Sequence, residues 1–253
     1  MRARQLEMDL RKGAGRGAPG RRRRPGAGRP PKGPRPSERH QTRPFHDGRV
    51  PVHVVLRTVP GARLRGRRGW AAVRHALLVT AARTRFRVVH VSIQATHLHA
   101  IVEADDRVAL ARGVQGFQIA CARRFNRLRG TRGQIFADRY HAVALRSPRQ
   151  VRHAIGYVLN NWRRHREDTE SHARFDPYSS APAFPGWSSG ASFRRDLDRL
   201  PVVGAATWLL ALGWRRHGDL SPFARPGPAP SRAARDSEPR DELDRGDEAR
   251  REV

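Results

Sequence analysis

Residues 88–103 read Val88-Val89-His90-Val91-Ser92-Ile93-Gln94-Ala95-Thr96-His97-Leu98-His99-Ala100-Ile101-Val102-Glu103. Two apolar, β-branched runs predict strands over about 87–93 and 96–103, paired as a hairpin. In a strand, side chains at i and i+2 point to the same face, so His97 and His99 project together. Leu98, Ala100 and Val102 then face the other way. Two imidazoles on one face of a rigid strand make half of a metal site. A chain with 12 His contains about 0.6 such pairs by chance, so the pair gains meaning only from its surroundings.

Outward from the hairpin, helix and strand patterns alternate. Val50-Pro51-Val52-His53-Val54-Val55-Leu56-Arg57 reads as a strand, and Gly69 to about Arg83, with Trp70, Val73, Leu77 and Leu78, as a helix. After the hairpin, 108–128 carries apolar residues at 110, 114, 117, 121 and 125, a helical spacing, with Arg112, Arg123, Arg124 and Arg127 on other faces. Residues 135–145 read as a short irregular or extended piece. The order predicts an α+β, ferredoxin-like antiparallel sheet packed by helices. Residues 46–187 form its main body, and 188–219 an extension with a short helix from Trp208 to Trp214 that ends at Gly218.

The composition is strongly basic. Lys plus Arg number 51 against 23 Asp plus Glu, a formal charge of +28, and only Lys12 and Lys32 are lysines. GC-rich codons explain arginine over lysine but not the excess over acids. A charge this positive points to a polyanion, with nucleic acid as the default partner. No stretch approaches the ~20 apolar residues needed to span a bilayer, and no apolar run follows the basic N-terminus as in a signal peptide. The single Cys121 excludes an internal disulfide and is expected in the core. A cytoplasmic bacterial protein, on the nucleoid when DNA-bound, fits these features.

The ends differ from the middle. Residues 1–45 hold fourteen Arg or Lys, three acidic residues and many Gly and Pro, so this arm is expected to be disordered. Within it, Gly28-Arg29-Pro30-Pro31-Lys32-Gly33-Pro34-Arg35 is similar to an AT-hook, although Ala27 stands where an arginine is usual; Arg29 would be its minor-groove residue. Residues 220–253 read as a disordered tail.

Ser147-Pro148-Arg149-Gln150 is a helix start, with Ser at the cap, Pro at the first helical position and Gln three residues after the cap. Val151, Ile155, Val158 and Trp162 follow as the buried stripe. His153, Tyr157 and Asn161 form a neighbouring stripe, each about 6 Å along the axis from the last. A tyrosine and a carboxamide thus share one face beside the buried one.

With His97-Leu98-His99, Phe136-Ala137-Asp138-Arg139-Tyr140, Tyr157 and Asn161 together, the chain resembles the single-tyrosine HUH transposases, and among them the domesticated, repeat-associated tyrosine transposases. The resemblance runs from about Val50 to Trp187 and continues through Trp208-Leu209-Leu210 and Gly213 to Gly218. It implies that His97 and His99 bind a divalent cation, Mg²⁺ or Mn²⁺. Tyr157 would be the nucleophile, and Asn161, with Asn160 adjacent, would complete the ligand set. The implied reaction is nicking and strand transfer on single-stranded or hairpin DNA through a 5′-phosphotyrosine, by a monomer or homodimer. Arg123, Arg124, Arg127, Arg139, Arg163 and Arg164 would track the DNA backbone.

Rival readings stay open at this level. A hydrolytic His-x-His site needs a third ligand, for which Glu103 is the candidate in the same run. Tyr140 is the alternative nucleophile, Tyr178 reads as a turn anchor, and His153 as an exposed helix residue. A DNA-binding protein that has kept the fold and lost catalysis is the second functional class.

Overall fold

Four antiparallel strands form one sheet in the order β2-β3-β1-β4. The strands are β1 (Val52–Arg57), β2 (Phe86–Ile93), β3 (His97–Ala104) and β4 (His141–Ala144). The helices are α1 (Arg67–Ala81), α2 (Arg107–Arg129), α3 (Pro148–Leu159), α4 (Asn161–Arg164) and α5 (Trp208–Ala211). The computed structural model describes residues 47–137, 139–168, 174–188 and 199–227. The arm expected over 1–45, with Arg29, lies outside them. The α+β antiparallel architecture with helices packed on the sheet is the expected one.

Strand parity divides the molecule into layers. Val52, Val54 and Leu56 of β1 and Leu98, Ala100 and Val102 of β3 point to one side, where α1 and α2 cover them with Val73, Leu77, Val114, Phe117 and Phe125. The predicted spacing on α2 holds: Leu110, Val114, Phe117, Cys121 and Phe125 are all buried. Burial pushes the Cys121 thiol up to about 12, so it is an inert core residue. On α1, Val73 and Leu77 are buried as expected, but Leu78 faces solvent.

Local chemistry fixes the ends of α2. Asp106 caps its start by accepting the Ala109 N–H at 2.7 Å. Gly130 closes it in the left-handed region at φ 66°, a conformation that favours glycine. Gly113 is required for another reason: a Cβ there would lie 2.1 Å from the Phe86 ring.

The opposite sheet face is covered by α3 and the C-terminal extension. Val89 and Ile101 meet Val151, Ile155, Val158, Leu210, Trp214 and Leu220 in a second core. A register shift between Val88 and His90 sends both Val88 and the next paired residue to opposite faces, so His90 joins this second layer, edge-on to Phe184. Packed chain continues past Leu220. Ser221 O accepts from Asn160 Nδ2 at 3.0 Å and Pro222 O from Arg163 Nε at 2.9 Å, so chain expected to belong to the tail helps to hold α3 and α4.

His90 carries a pH prediction. Burial lowers it from an ordinary 6.5 to about 4. The unfolded chain therefore binds more protons at this site within that window, so stability is full above about pH 6.5 and declines as pH falls towards 4. The loss attributable to His90 amounts to about 3 kcal/mol. Denaturant melts of wild type and His90→Leu at pH 7 and pH 4 should show a smaller acid loss in the variant by about that amount. Equal losses would mean that His90 takes up its proton without unfolding.

Candidate active site

The site is assembled by the β1–β3 pairing. Antiparallel register sets Val55 opposite His99 and Arg57 opposite His97, with His53 opposite Ile101. Paired residues share a face, so His53, His97 and His99 all point towards α3. The His97 and His99 rings lie 4.7 Å apart, centroid to centroid, nearly perpendicular. His53 stacks on His99 at 5.2 Å, and its Nε2 is 3.1 Å from His99 Nδ1.

Helix α3 brings the tyrosine. Ser147 caps it by accepting the Gln150 N–H at 3.2 Å, and Gln150 Oε1 accepts the Arg146 N–H at 2.8 Å, one residue before the cap. Val151, Ile155 and Val158 bury the inner stripe and leave Tyr157 half-buried at its margin. Its ring sits edge-on to His99 at 5.2 Å and to His53 at 5.9 Å.

The continuous stripe His153, Tyr157, Asn161 is corrected in one respect. The α3 helix ends at Leu159, Asn160 turns at φ −105° and ψ 10°, and α4 begins at Asn161. The break separates two adjacent amides. Asn160 is held by Ser221 O, whereas Asn161 is fully buried with neither amide atom hydrogen-bonded among the described residues. His99 Nε2 is likewise buried without a partner there. Such groups cost about 1–3 kcal/mol each unless something takes them up.

Electrostatics match the same picture. Burial lowers His53 to about 4, with His141 a further cause. His99 lies well below its ordinary value, first through burial and then through His53, His97, His165 and Arg164. Both rings are neutral at pH 7, the form that a metal ion binds. Among the described residues no three His, Cys, Asp or Glu side chains converge as a ready cluster. The expected set has only two such groups, because its third member is an amide, and the unpartnered His99 Nε2 and Asn161 amide fit it.

Other expected residues go elsewhere. Glu103 shares the parity of His97 but is buried at the far end of β3, where it accepts Ala206 N–H and Thr207 N–H at 2.8 Å and Thr207 Oγ1–H at 2.7 Å. It anchors the chain entering α5 rather than a cation. Tyr140 is buried in the α1–α2 core, on the other side of the sheet from Tyr157. Tyr178 does anchor a turn: its N–H donates to Asp176, and Arg65 lies over its ring at 4.8 Å. His153 is exposed on α3.

The arginines separate in the same way. Arg123 and Arg127 are exposed and Arg124 half-buried, all on α2, which covers the face opposite the histidines. Arg139 is half-buried in the segment leading to β4. Arg163 is the clearest departure: its guanidinium is buried, donating to Pro222 O and Arg174 O and pairing with Asp168 at 3.4 Å. It ties the C-terminal chain to α4. Arg164 is exposed and lies 5.9 Å over the Tyr157 ring, with Nη1 donating to Gly227 O at 2.6 Å.

Two histidines at the site were not singled out from sequence. His53 sits at the parity that faces α3 but needs the strand order to be placed. His165, 5.2 Å from His97, follows Asn161 at the same four-residue step that links Tyr157 to Asn161.

No protein-family model matches the chain, and no curated protein matches it. The fold is similar to a solved structure of a REP-associated tyrosine transposase bound to a REP hairpin, with TM-score 0.48 and 15% identity, covering 66% of this chain and 93% of that one.

The assignment of Glu103 is testable. Glu103→Ala should lower stability by about 3 kcal/mol, as hydrogen bonds to a charged group are lost, read as a melting point lower by roughly 10 °C. Mn²⁺ affinity, measured below that temperature, should stay unchanged. A weaker Mn²⁺ affinity without the loss of stability would return Glu103 to the ligand set.

Proposed function

We propose that this protein nicks and rejoins single-stranded DNA, folded as a hairpin, through covalent attack by Tyr157, with Mg²⁺ or Mn²⁺ held by His97, His99 and Asn161. The observation that carries this reading is the placement of the half-buried Tyr157 ring 5.2 Å from His99, whose Nε2 is buried without a partner, as are both amide atoms of nearby Asn161. A bound divalent cation would supply Lewis-acid neutralisation of the scissile phosphate. The protein supplies the rest.

Tyr157 is presented from a helix whose inner stripe is locked into the second core, so its hydroxyl is positioned rather than searching. The bond from Tyr157 Oη to phosphorus forms as the bond from phosphorus to the 3′ oxygen breaks. The tyrosine gives up its proton, the leaving strand end takes one as a free 3′-OH, and the other end stays as a 5′-phosphotyrosine. A phenol is a good leaving group, so a second 3′-OH reverses the step without ATP, which is strand transfer. Arg164, exposed beside the Tyr157 ring, is the cation best placed to meet a flanking phosphate. The formal charge of +28 provides general attraction to DNA.

The test is a cleavage assay with labelled hairpin DNA, with and without Mg²⁺ or Mn²⁺. A metal-dependent covalent protein–DNA adduct is expected, absent from Tyr157→Phe and reduced about 100-fold or more in His97→Ala, the scale of several kcal/mol of charge stabilisation. Tyr140→Phe should keep the adduct, because that residue packs on the far side of the sheet. An adduct that survives Tyr157→Phe overturns the nucleophile. Hairpin binding without any adduct, across a panel of hairpins and both metals, supports the DNA-binding relic instead.

A further inference from the structure

We propose that His53 is a positioning residue for the cation site: it accepts the Nδ1–H of His99 and so presents the unprotonated Nε2 of His99 to the ion. The inference rests on the ligand role given to His99 under the proposed function, and deepens it.

The geometry admits two hydrogen placements. His53 Nε2 and His99 Nδ1 are 3.1 Å apart, so one of the two nitrogens carries the hydrogen between them. If His53 donates, the single hydrogen of neutral His99 sits on its Nε2, which becomes a buried donor with no acceptor and is closed to a metal. If His99 donates, its Nε2 carries a free lone pair directed away from His53, the form that ligates. Only the second placement gives the orphaned nitrogen a use.

The packing restricts His99 to that orientation. Its ring is stacked on His53 with an interplanar angle of 24°, and Tyr157 closes on it edge-on at 5.2 Å. Turning the ring would break the hydrogen bond and the stack together. Both residues stand on adjacent, paired strands, so their separation is set by the sheet rather than by flexible side chains. His53 cannot use the same Nε2 as a ligand while it is engaged with His99.

The experiment uses the full chain in two readouts. Long-range ¹H–¹⁵N correlation spectra of metal-free protein report the histidine tautomers, and calorimetric titration with Mn²⁺ reports affinity. His99 should be the Nδ1–H tautomer in wild type. His53→Ala should weaken Mn²⁺ binding 10–100-fold, and His53→Gln, whose amide oxygen accepts the same proton, should recover to within about threefold. Binding of hairpin DNA in EDTA should not move in either variant, whereas a loss of fold would abolish it.

An Nε2–H His99 in the metal-free wild type overturns the inference, as does a His53→Ala protein that binds Mn²⁺ like wild type. Loss of Mn²⁺ binding in the Ala and Gln variants alike reduces His53 to a structural residue and also overturns it. A wild type that shows the Nδ1–H tautomer yet binds no Mn²⁺ overturns the cation reading itself, which separates the two failures. Should His53→Ala not fold, the wild-type tautomer and His53→Gln still decide.

Discussion

The pairing of β3 between β1 and β2 is the constraint on which the rest depends. β3 is buried on both faces, apolar towards α1 and α2 and mixed towards α3. Its register against β1 admits no slip, because a one-residue shift would turn Leu98, Ala100 and Val102 out of the first core and the imidazoles into it. Three fully or nearly buried apolar side chains on each of two strands hold that register. At roughly 1.5–3 kcal/mol for each large one, the core outweighs any preference of the histidines for water. The same register delivers His53 to His99. The site is thus a by-product of core packing, built on the polar parity of the most tightly held pair of strands.

What lies over that parity determines its chemistry. A second apolar layer covers Ile101 and Val89, but it gives way to Tyr157, Asn161 and His165 where β3 begins. Burial without hydrogen bonds is costly, and a fold that leaves His99 Nε2 and both Asn161 atoms unpaired in one neighbourhood gains stability from any ligand that engages them. The contrast with Glu103 on the same strand is instructive. Its carboxylate is fully engaged by the backbone and hydroxyl at the entry to α5. One end of the face is satisfied from within, and the other is left for something outside.

The sequence made local periodicity legible and long-range register not. Leu110 to Phe125 on α2, the stripe Val151, Ile155, Val158 on α3, and the shared face of His97 and His99 all follow from counting along one segment. His53 required knowing that β1 lies beside β3 and in which register, a non-local fact. His90 required the register shift beside Val88, which alternation conceals. The break at Asn160 carries no proline or glycine to announce it. It is visible only because the C-terminal chain supplies Ser221 O to its side chain. Glu103 matched the parity of a ligand and failed on distance along the strand.

The C-terminal chain also changes the meaning of the charge. Residues 218–227 run across α3 and α4 with Pro222 and Pro226, which lack N–H groups, so the segment offers carbonyls that need donors. Arg152 donates to Gly218 O and Asp219 O, Arg163 to Pro222 O, and Arg164 to Gly227 O. Cations on consecutive turns of the tyrosine helix and its continuation therefore serve as fasteners. Their replacement would loosen α4 and with it Asn161 and His165. A net charge of +28 is real as a long-range field, but it overstates the number of arginines free to meet phosphates. On the histidine side, Arg164 stays exposed at the tyrosine, while Arg163 one residue earlier is buried against Trp162 and Phe223. Neighbouring identical residues thus divide the labour, one holding the fold and the other facing the solvent from which DNA would arrive.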